Sequence, residues 1–447
     1  MAQTQKKQGD MGTGSVKKLL LQLMIPAVVA QIVNLLYNIV DRIYIGHIPG
    51  IGAAALTGVG LFTPILMLLN AFAMLIGAGG APRTAIAMGQ GDKDQAEKIV
   101  SNSFTMLLIF SALLTVVFYA AAPALLRMFG ASDTTLPYAL AYSRIYILGS
   151  VCVLIVLGMN PFITAQGFAK ISMLTTVIGA VINIVLDPIL IFLFGLGVRG
   201  AAIATVLSQL LSGGLCAYWF FTRTAKLEGL SFRQPRTLLS AGHCKRLAYI
   251  GLPMGFEYSV SAIGAVIMQD AINLLGSTAV AAQTAGEKIR QMFTLPMESV
   301  GMAMATYVGQ NHGARRTDRI RQGIKDGCMV QLLYCAVAWG VIFFIKPYAV
   351  GLVLGDADPA VTAGAIQYLS VMSMLFCFHG LLMIFRNTLQ GLGYSVLAIV
   401  SGVGELIGRS LGGVLAVKTG LGYLGICLSN PFAWGLAMFY CLFMVCR

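Results

Sequence analysis

Along the chain, stretches of about 20 or more apolar residues alternate with short polar segments rich in Gly, Pro and charge. Reading those windows gives twelve helical spans, at about 18–46, 53–79, 99–122, 138–165, 171–194, 200–222, 247–275, 279–308, 327–349, 361–390, 395–417 and 423–446. About 20 apolar residues in a helix cross the hydrocarbon of a bilayer, whereas a membrane strand would show alternation over about 10 residues. The expected fold class is therefore an all-α integral membrane protein. Pro26, Pro64, Pro161, Pro188, Pro253 and Pro296 fall inside spans and predict bends, because proline removes a backbone donor and crowds the preceding turn.

The longest polar stretch between spans, Arg223 to Arg246, follows the sixth span and divides the chain into expected units at residues 1–222, 223–246 and 247–447. The two flanking units repeat. Ile25-Pro26 matches Leu252-Pro253, Gly89-Gln90-Gly91 matches Gly309-Gln310, and Gln166-Gly167-Phe168 matches Gln390-Gly391-Leu392. Gly195-Leu-Gly-Val-Arg-Gly200 likewise matches Gly420-Leu-Gly-Tyr-Leu-Gly425, and the offset stays near 220–227 residues. An even number of spans per half makes the repeat parallel, predicting two six-helix lobes related by an axis along the membrane normal. Duplication around a central cleft is the architecture of alternating-access carriers.

Two polar stripes interrupt the apolar spans. The first is Asn34, Asn38 and Asp41; the second is Asn183 and Asp187, followed by Pro188. Residues three and four apart stack on one helix face, so each stripe presents amides and a carboxylate together. A charge at the bilayer centre costs roughly 2.5 kcal/mol or more, so a retained acid has a purpose. That purpose is a cation or proton site, or a hydrogen bond that ties two helices.

Other polar residues also fall within spans. Glu405 has Arg409 one turn later, which reads as a helical ion pair. Glu287 lies beside Lys288 and Arg290 and reads either as a similar pair or as an acid facing cationic cargo. Glu257 reads equally as functional or as a helix tether. Asp270 is expected at interfacial water, and Glu298 at backbone groups freed by Pro296. His379, among Cys377, Phe378 and Leu381, reads as a packed residue or as a proton relay.

Charged residues make up 11% of the chain, against roughly 25% in soluble domains, and apolar residues 57%. The formal charge of +13 would suggest nucleic acid in a soluble protein. Here twenty Lys and Arg lie on one side of the span ladder and only Arg127, Arg199, Lys346 and Lys418 on the other, which is topology. By the positive-inside rule both termini are expected in the cytoplasm of a multi-pass inner (plasma) membrane protein, with no nucleic-acid partner. Met1 to Ser15 is polar and lacks the apolar core of a cleavable signal, so the first span is expected to direct insertion. Nine scattered cysteines without a CxxC pair predict neither a disulfide framework nor a zinc site. Without a GxxxxGK[ST] segment, ATP hydrolysis is not expected, and no spacing commits the chain to an enzymatic activity.

The sequence resembles the multidrug and toxic compound extrusion (MATE) family, within it the bacterial branch that includes DinF and MepA. The resemblance rests on Pro26, Tyr37-Asn-Ile-Val-Asp41-Arg-Ile-Tyr-Ile-Gly46, Gly89-Gln-Gly-Asp92, Gln166-Gly167, Asn183-Ile-Val-Leu-Asp187-Pro188, Gly251-Leu-Pro-Met-Gly255 and Gly309-Gln310. It implies two six-helix lobes around a V-shaped cavity, with efflux of bulky, often cationic organic compounds driven by sodium or proton entry and no cofactor. It also implies a cation site on Asp41, Asn183, Asp187 and Thr205. Beside these, the polar residues Asn34, Asn38, Glu257, Glu287 and His379 stand as substrate or coupling candidates. His379 stands where another branch of the family carries an acid. A monomer is the expected state. The alternative function is a flippase for lipid-linked precursors, which would call for several basic residues lining the cavity.

Overall fold

A computed structural model describes residues 11, 14–222, 242, 245, 249, 251, 260, 263–264, 267–355 and 358–447. Among them the secondary structure is helical throughout, with no strand. The first helices are α1 (Val16–Gly46), α2 (Gly52–Leu61), α3 (Thr63–Gly89), α4 (Lys93–Met128), α5 (Leu136–Leu148), α6 (Ser150–Ala165), α7 (Ala169–Pro188) and α8 (Val198–Thr222). Then follow α9 (Ser277–Gly313), α10 (Thr317–Leu354), α11 (Pro359–Met374), α12 (Phe376–Gly391), α13 (Ser395–Lys418) and α14 (Gly422–Cys446).

Eight helical segments are long and apolar enough to cross a membrane, or up to 10 spans when two bent pairs each count as one. Those pairs are α5 with α6, bent by 56°, and α11 with α12, bent by 48°. At 37 residues α9 is also long enough, but Glu287, Lys288, Arg290 and Glu298 make it too polar to stand out on composition. The seventh expected span lies largely outside the described residues, of which 267–273 are helical. Large apolar side chains such as Leu113, Val116, Phe344 and Leu352 are exposed on these helices, as a hydrocarbon solvent permits.

The described residues form two compact units, one within 25–252 and the other within 11–24 and 253–447. The opening turns of α1 therefore pack with the second unit, and the passage to the first falls at Ile25 and Pro26. Within the second unit the main chain of Met11 accepts from Asn311 Nδ2 at 3.3 Å and from Arg319 Nη2 at 3.1 Å.

Within each unit the same neighbours pack. In the first, α3 meets α4 and α6, α6 meets α8, and α7 meets α8; in the second, α9 meets α10 and α12, α12 meets α14, and α13 meets α14. The turn before the last helix of each unit repeats in its backbone as well. Gly195 and Gly197 have φ of +65° and +55°, and Gly420 and Gly422 have +72° and +55°, a region open to glycine and strained for other residues. The core of the first unit centres on Phe62, Leu69, Ile76, Leu107 and Phe162, and that of the second on Tyr368, Phe376, Met297 and Trp434.

Candidate functional site

Proline at the end of a helix sets the local geometry of the first unit's polar stripe. Pro188 has no N–H and crowds the carbonyl one turn back, and the chain continues from α7 into a single π-helical turn at Ile189–Leu193. Such turns recur at functional sites. The start of α8 presses against it: a Cβ added to Gly200 would lie 2.7 Å from the Leu190 carbonyl, so only glycine fits. This packing brings α7 and α8 together one and two turns from the bend.

Asp41 on α1, Asn183 and Asp187 on α7 and Thr205 on α8 meet there. Relative exposures of 9%, 1%, 0% and 6% respectively place all four in the protein interior. Asn183 Nδ2 donates to Asp187 Oδ1 and to Thr205 Oγ1, each at 3.4 Å. Thr205 Oγ1 in turn donates to the Ala201 carbonyl at 3.0 Å, which fixes its lone pairs toward Asn183. The carboxyl groups of Asp41 and Asp187 lie within hydrogen-bonding reach of each other. Yet Asp41 Oδ1, Asp187 Oδ2 and Asn183 Oδ1 are buried without a donor among the described residues. Three buried acceptors without donors call for an ion or a proton, since an unpaired buried polar atom is costly. Hard oxygen donors of this kind suit sodium, and a carboxyl pair suits one shared proton.

Tyrosines line the site, and the sequence reading did not nominate them. The Tyr142 hydroxyl lies beside Thr205, and the Tyr37 hydroxyl beside Asn38 and Gln209. Tyr142 stacks on Tyr146 at 5.9 Å, and Phe62 meets both rings edge-on at 5.8 and 5.3 Å. Tyr37 had a local signal, since it precedes Asp41 by one helical turn. Tyr142 had none, because it reaches the site through the packing of α5 on α8.

Of the five remaining candidates the structure describes four. Asn38 is exposed and donates to its own helix at the Asn34 carbonyl, 2.7 Å away, so this bond holds the amide on α1. Glu257 lies outside the described residues. Glu287, in the second unit, accepts from Gln283 at 3.3 Å and from the Tyr368 hydroxyl at 3.4 Å. His379 is buried with both ring nitrogens unpartnered among the described residues, its ring 4.6 Å from that of Trp434. No hydrogen-bond chain for a relay leads from it among the described residues.

The second unit also holds a buried ionic cluster. Glu405 is bonded to Arg386 and, at 2.9 Å, to Arg409 one turn on, while Arg386 Nε donates to Ser401 at 2.8 Å. The Glu405–Arg409 pair was legible from spacing. Arg386, one helix away, was not.

A duplicated all-helical membrane protein with a buried carboxyl pair in one unit belongs to the class of membrane transporters rather than enzymes. The chain is a member of the MatE family, the MATE transporters, matching it over residues 26–189 and 253–411. It is similar to an FAD transporter of Shewanella oneidensis, 22% identical over 97% of this chain and 95% of that one. It is also similar to the multidrug export protein MepA of Staphylococcus haemolyticus, 25% identical over 87% of this chain and 85% of that one. In three dimensions it resembles a MOP superfamily transporter from Pyrococcus furiosus with a TM-score of 0.89, at 24% identity over 98% and 97% of the two chains.

Proposed function

We propose that this transporter exports small organic molecules, cationic ones among them, from the cytoplasm in exchange for sodium or protons moving inward. It sits in the inner (plasma) membrane with both termini in the cytoplasm and works as a monomer. Asp41, Asn183, Asp187 and Thr205 form the coupling site. The observation that carries this reading is the burial of two carboxyl groups side by side with three acceptor oxygens left without donors.

Two adjoining carboxylates cannot both stay charged in a poorly solvated place unless a cation joins them or one takes a proton. Filling or emptying the site therefore changes how α1, α7 and α8 attract one another. The single π turn after Pro188 supplies a compliant point at which α7 can respond. An ion that binds one arrangement better than the other biases the first unit between them and so couples its gradient to cargo. Family membership and the export role in the name of the MepA relative support this reading over a lipid-precursor flippase.

The test is uptake of a fluorescent organic cation into everted membrane vesicles, with and without an imposed sodium or proton gradient. Export coupled to ion entry appears as uptake that rises when the ion leaves the vesicle interior. Uptake indifferent to both gradients would overturn the coupled reading.

A further inference from the structure

In the first unit, α5 and α8 border an open groove of about 480 Å³, lined by Pro137, Leu140, Ala141, Arg144, Ile145 and Arg199. The volume lies within the roughly 300–1,000 Å³ that hold small ligands. Its walls are apolar except for two arginines, both exposed. Neither makes an ion pair with an acidic residue among the described residues, although Arg127, nearby in sequence, has Asp133 at 3.7 Å. The Arg144 guanidinium instead rests over the Tyr119 ring, 5.7 Å from its centroid.

Geometry makes this pair of cations pointed rather than incidental. Pro137 and Arg199 stand in the first turns of α5 and α8, and Arg144 lies about 10 Å farther along α5. Side chains on a helix lean toward its N-terminus. Arg144 and Arg199 therefore both lean toward the membrane face at which α5 and α8 begin, with their stems along apolar surface. That is the level of lipid phosphates, and a guanidinium matches a phosphate with parallel donors. An uncompensated arginine facing hydrocarbon is costly, so a partner of opposite charge belongs here.

We infer that the groove between α5 and α8 binds the phosphate headgroup of an anionic phospholipid, held by Arg144 and Arg199 with its chain along Leu140, Ala141 and Ile145. In the orientation proposed above this is a lipid of the outer leaflet. The site is separate from the carboxyl pair, and it holds whether or not sodium or protons drive transport.

The experiment uses the full-length protein, purified and depleted of lipid, then given phosphatidylglycerol or phosphatidylcholine in equal amounts and read by native mass spectrometry. Wild type is expected to retain phosphatidylglycerol over phosphatidylcholine. Arg144→Gln and Arg199→Gln are each expected to lower that retention roughly fivefold, and Arg127→Gln, which lies outside the groove, to leave it unchanged. Equal retention of the two lipids, or no loss in either groove variant, overturns the proposal. Displacement of the lipid by millimolar inorganic phosphate also overturns it, making the groove a free-anion site. A photoactivatable phosphatidylglycerol on the wild-type protein removes any dependence on variant folding. Adducts within residues 136–148 or 198–200 support the site, and adducts confined elsewhere sink it.

Discussion

Asn183 on α7 and Thr205 on α8 are joined by a single hydrogen bond of 3.4 Å, and through it Thr205 holds the amide that also donates to Asp187. The threonine thus acts on the carboxyl pair without reaching it. Its hydroxyl spends its proton on the Ala201 carbonyl, so it can only accept from the amide.

Replacing Thr205 with Val removes that acceptor and leaves the buried amide one partner short, at about 1–3 kcal/mol. Thr205→Val is expected to melt earlier in detergent and to couple efflux more weakly to the gradient. Thr205→Ser, which keeps the hydroxyl, should restore both. Equal melting and equal coupling for Val and wild type would show that the bond holds nothing in place.

Glu405 is the shared acid of a buried arginine, Arg386, and a half-buried one, Arg409, which fixes an order among variants. Glu405→Leu takes the carboxylate from both Arg386 and Arg409, whereas Arg386→Met leaves Glu405 with Arg409, still a balanced pair. Breaking a buried pair costs about 3–5 kcal/mol. Thermal unfolding should therefore place Glu405→Leu well below Arg386→Met, and the reverse order would mean that Arg386, not Glu405, is the hub.

His379 packs on Trp434 with both nitrogens unpartnered among the described residues. A phenylalanine fills nearly the same space without the desolvated polar atoms. His379→Phe is expected to equal or exceed wild type in melting temperature and to leave efflux unchanged between pH 6 and pH 8. A loss of transport confined to that range would instead reveal a proton relay.

What the sequence carried well was periodic. Long apolar runs gave the helices, the repeated Gly-x-Gly before the sixth and twelfth spans marked the same turn twice, and the one-turn spacing of Asn183 and Asp187 gave half the site. What it missed came from pairings between helices. Arg386 reaches Glu405 from α12 to α13, and Tyr142 reaches Thr205 from α5 to α8, so neither leaves a trace in local spacing. Asn38 shows the opposite limit: its position on the stripe was clear, but its amide bonds back to its own helix. The bends at Gly149 and Leu375 also carry no proline at the break and were not foreseen.

The linker from Arg223 to Arg246 is rich in Lys and Arg, and the positive-inside rule predicts a cytoplasmic position for it. Trypsin added to everted vesicles should nick the protein there into two halves of similar size. Trypsin added to intact cells should leave it whole. Cleavage in intact cells would invert the topology and, with it, the leaflet that the α5–α8 groove faces.

The proposed coupling site rests on Asp41 and Asp187. Each is buried, each keeps one oxygen without a donor, and the two carboxyl groups adjoin. Asp41→Asn and Asp187→Asn preserve size and keep a hydrogen-bonding group, so both proteins should insert and melt near wild type. Each removes one of the two charges that a cation or proton must balance, and the response of α7 at the turn after Pro188 should weaken accordingly. Efflux in either variant is expected to fall to the rate seen without a gradient, while binding of cargo to the purified protein changes less than efflux does. The measurement is gradient-driven uptake into everted vesicles at matched protein levels, run separately with sodium and with protons. A variant insensitive to one ion and responsive to the other would name the coupling ion. Wild-type rates in both variants with both ions would leave the two aspartates as a tether between α1 and α7, and the coupling site would have to be sought elsewhere in the chain.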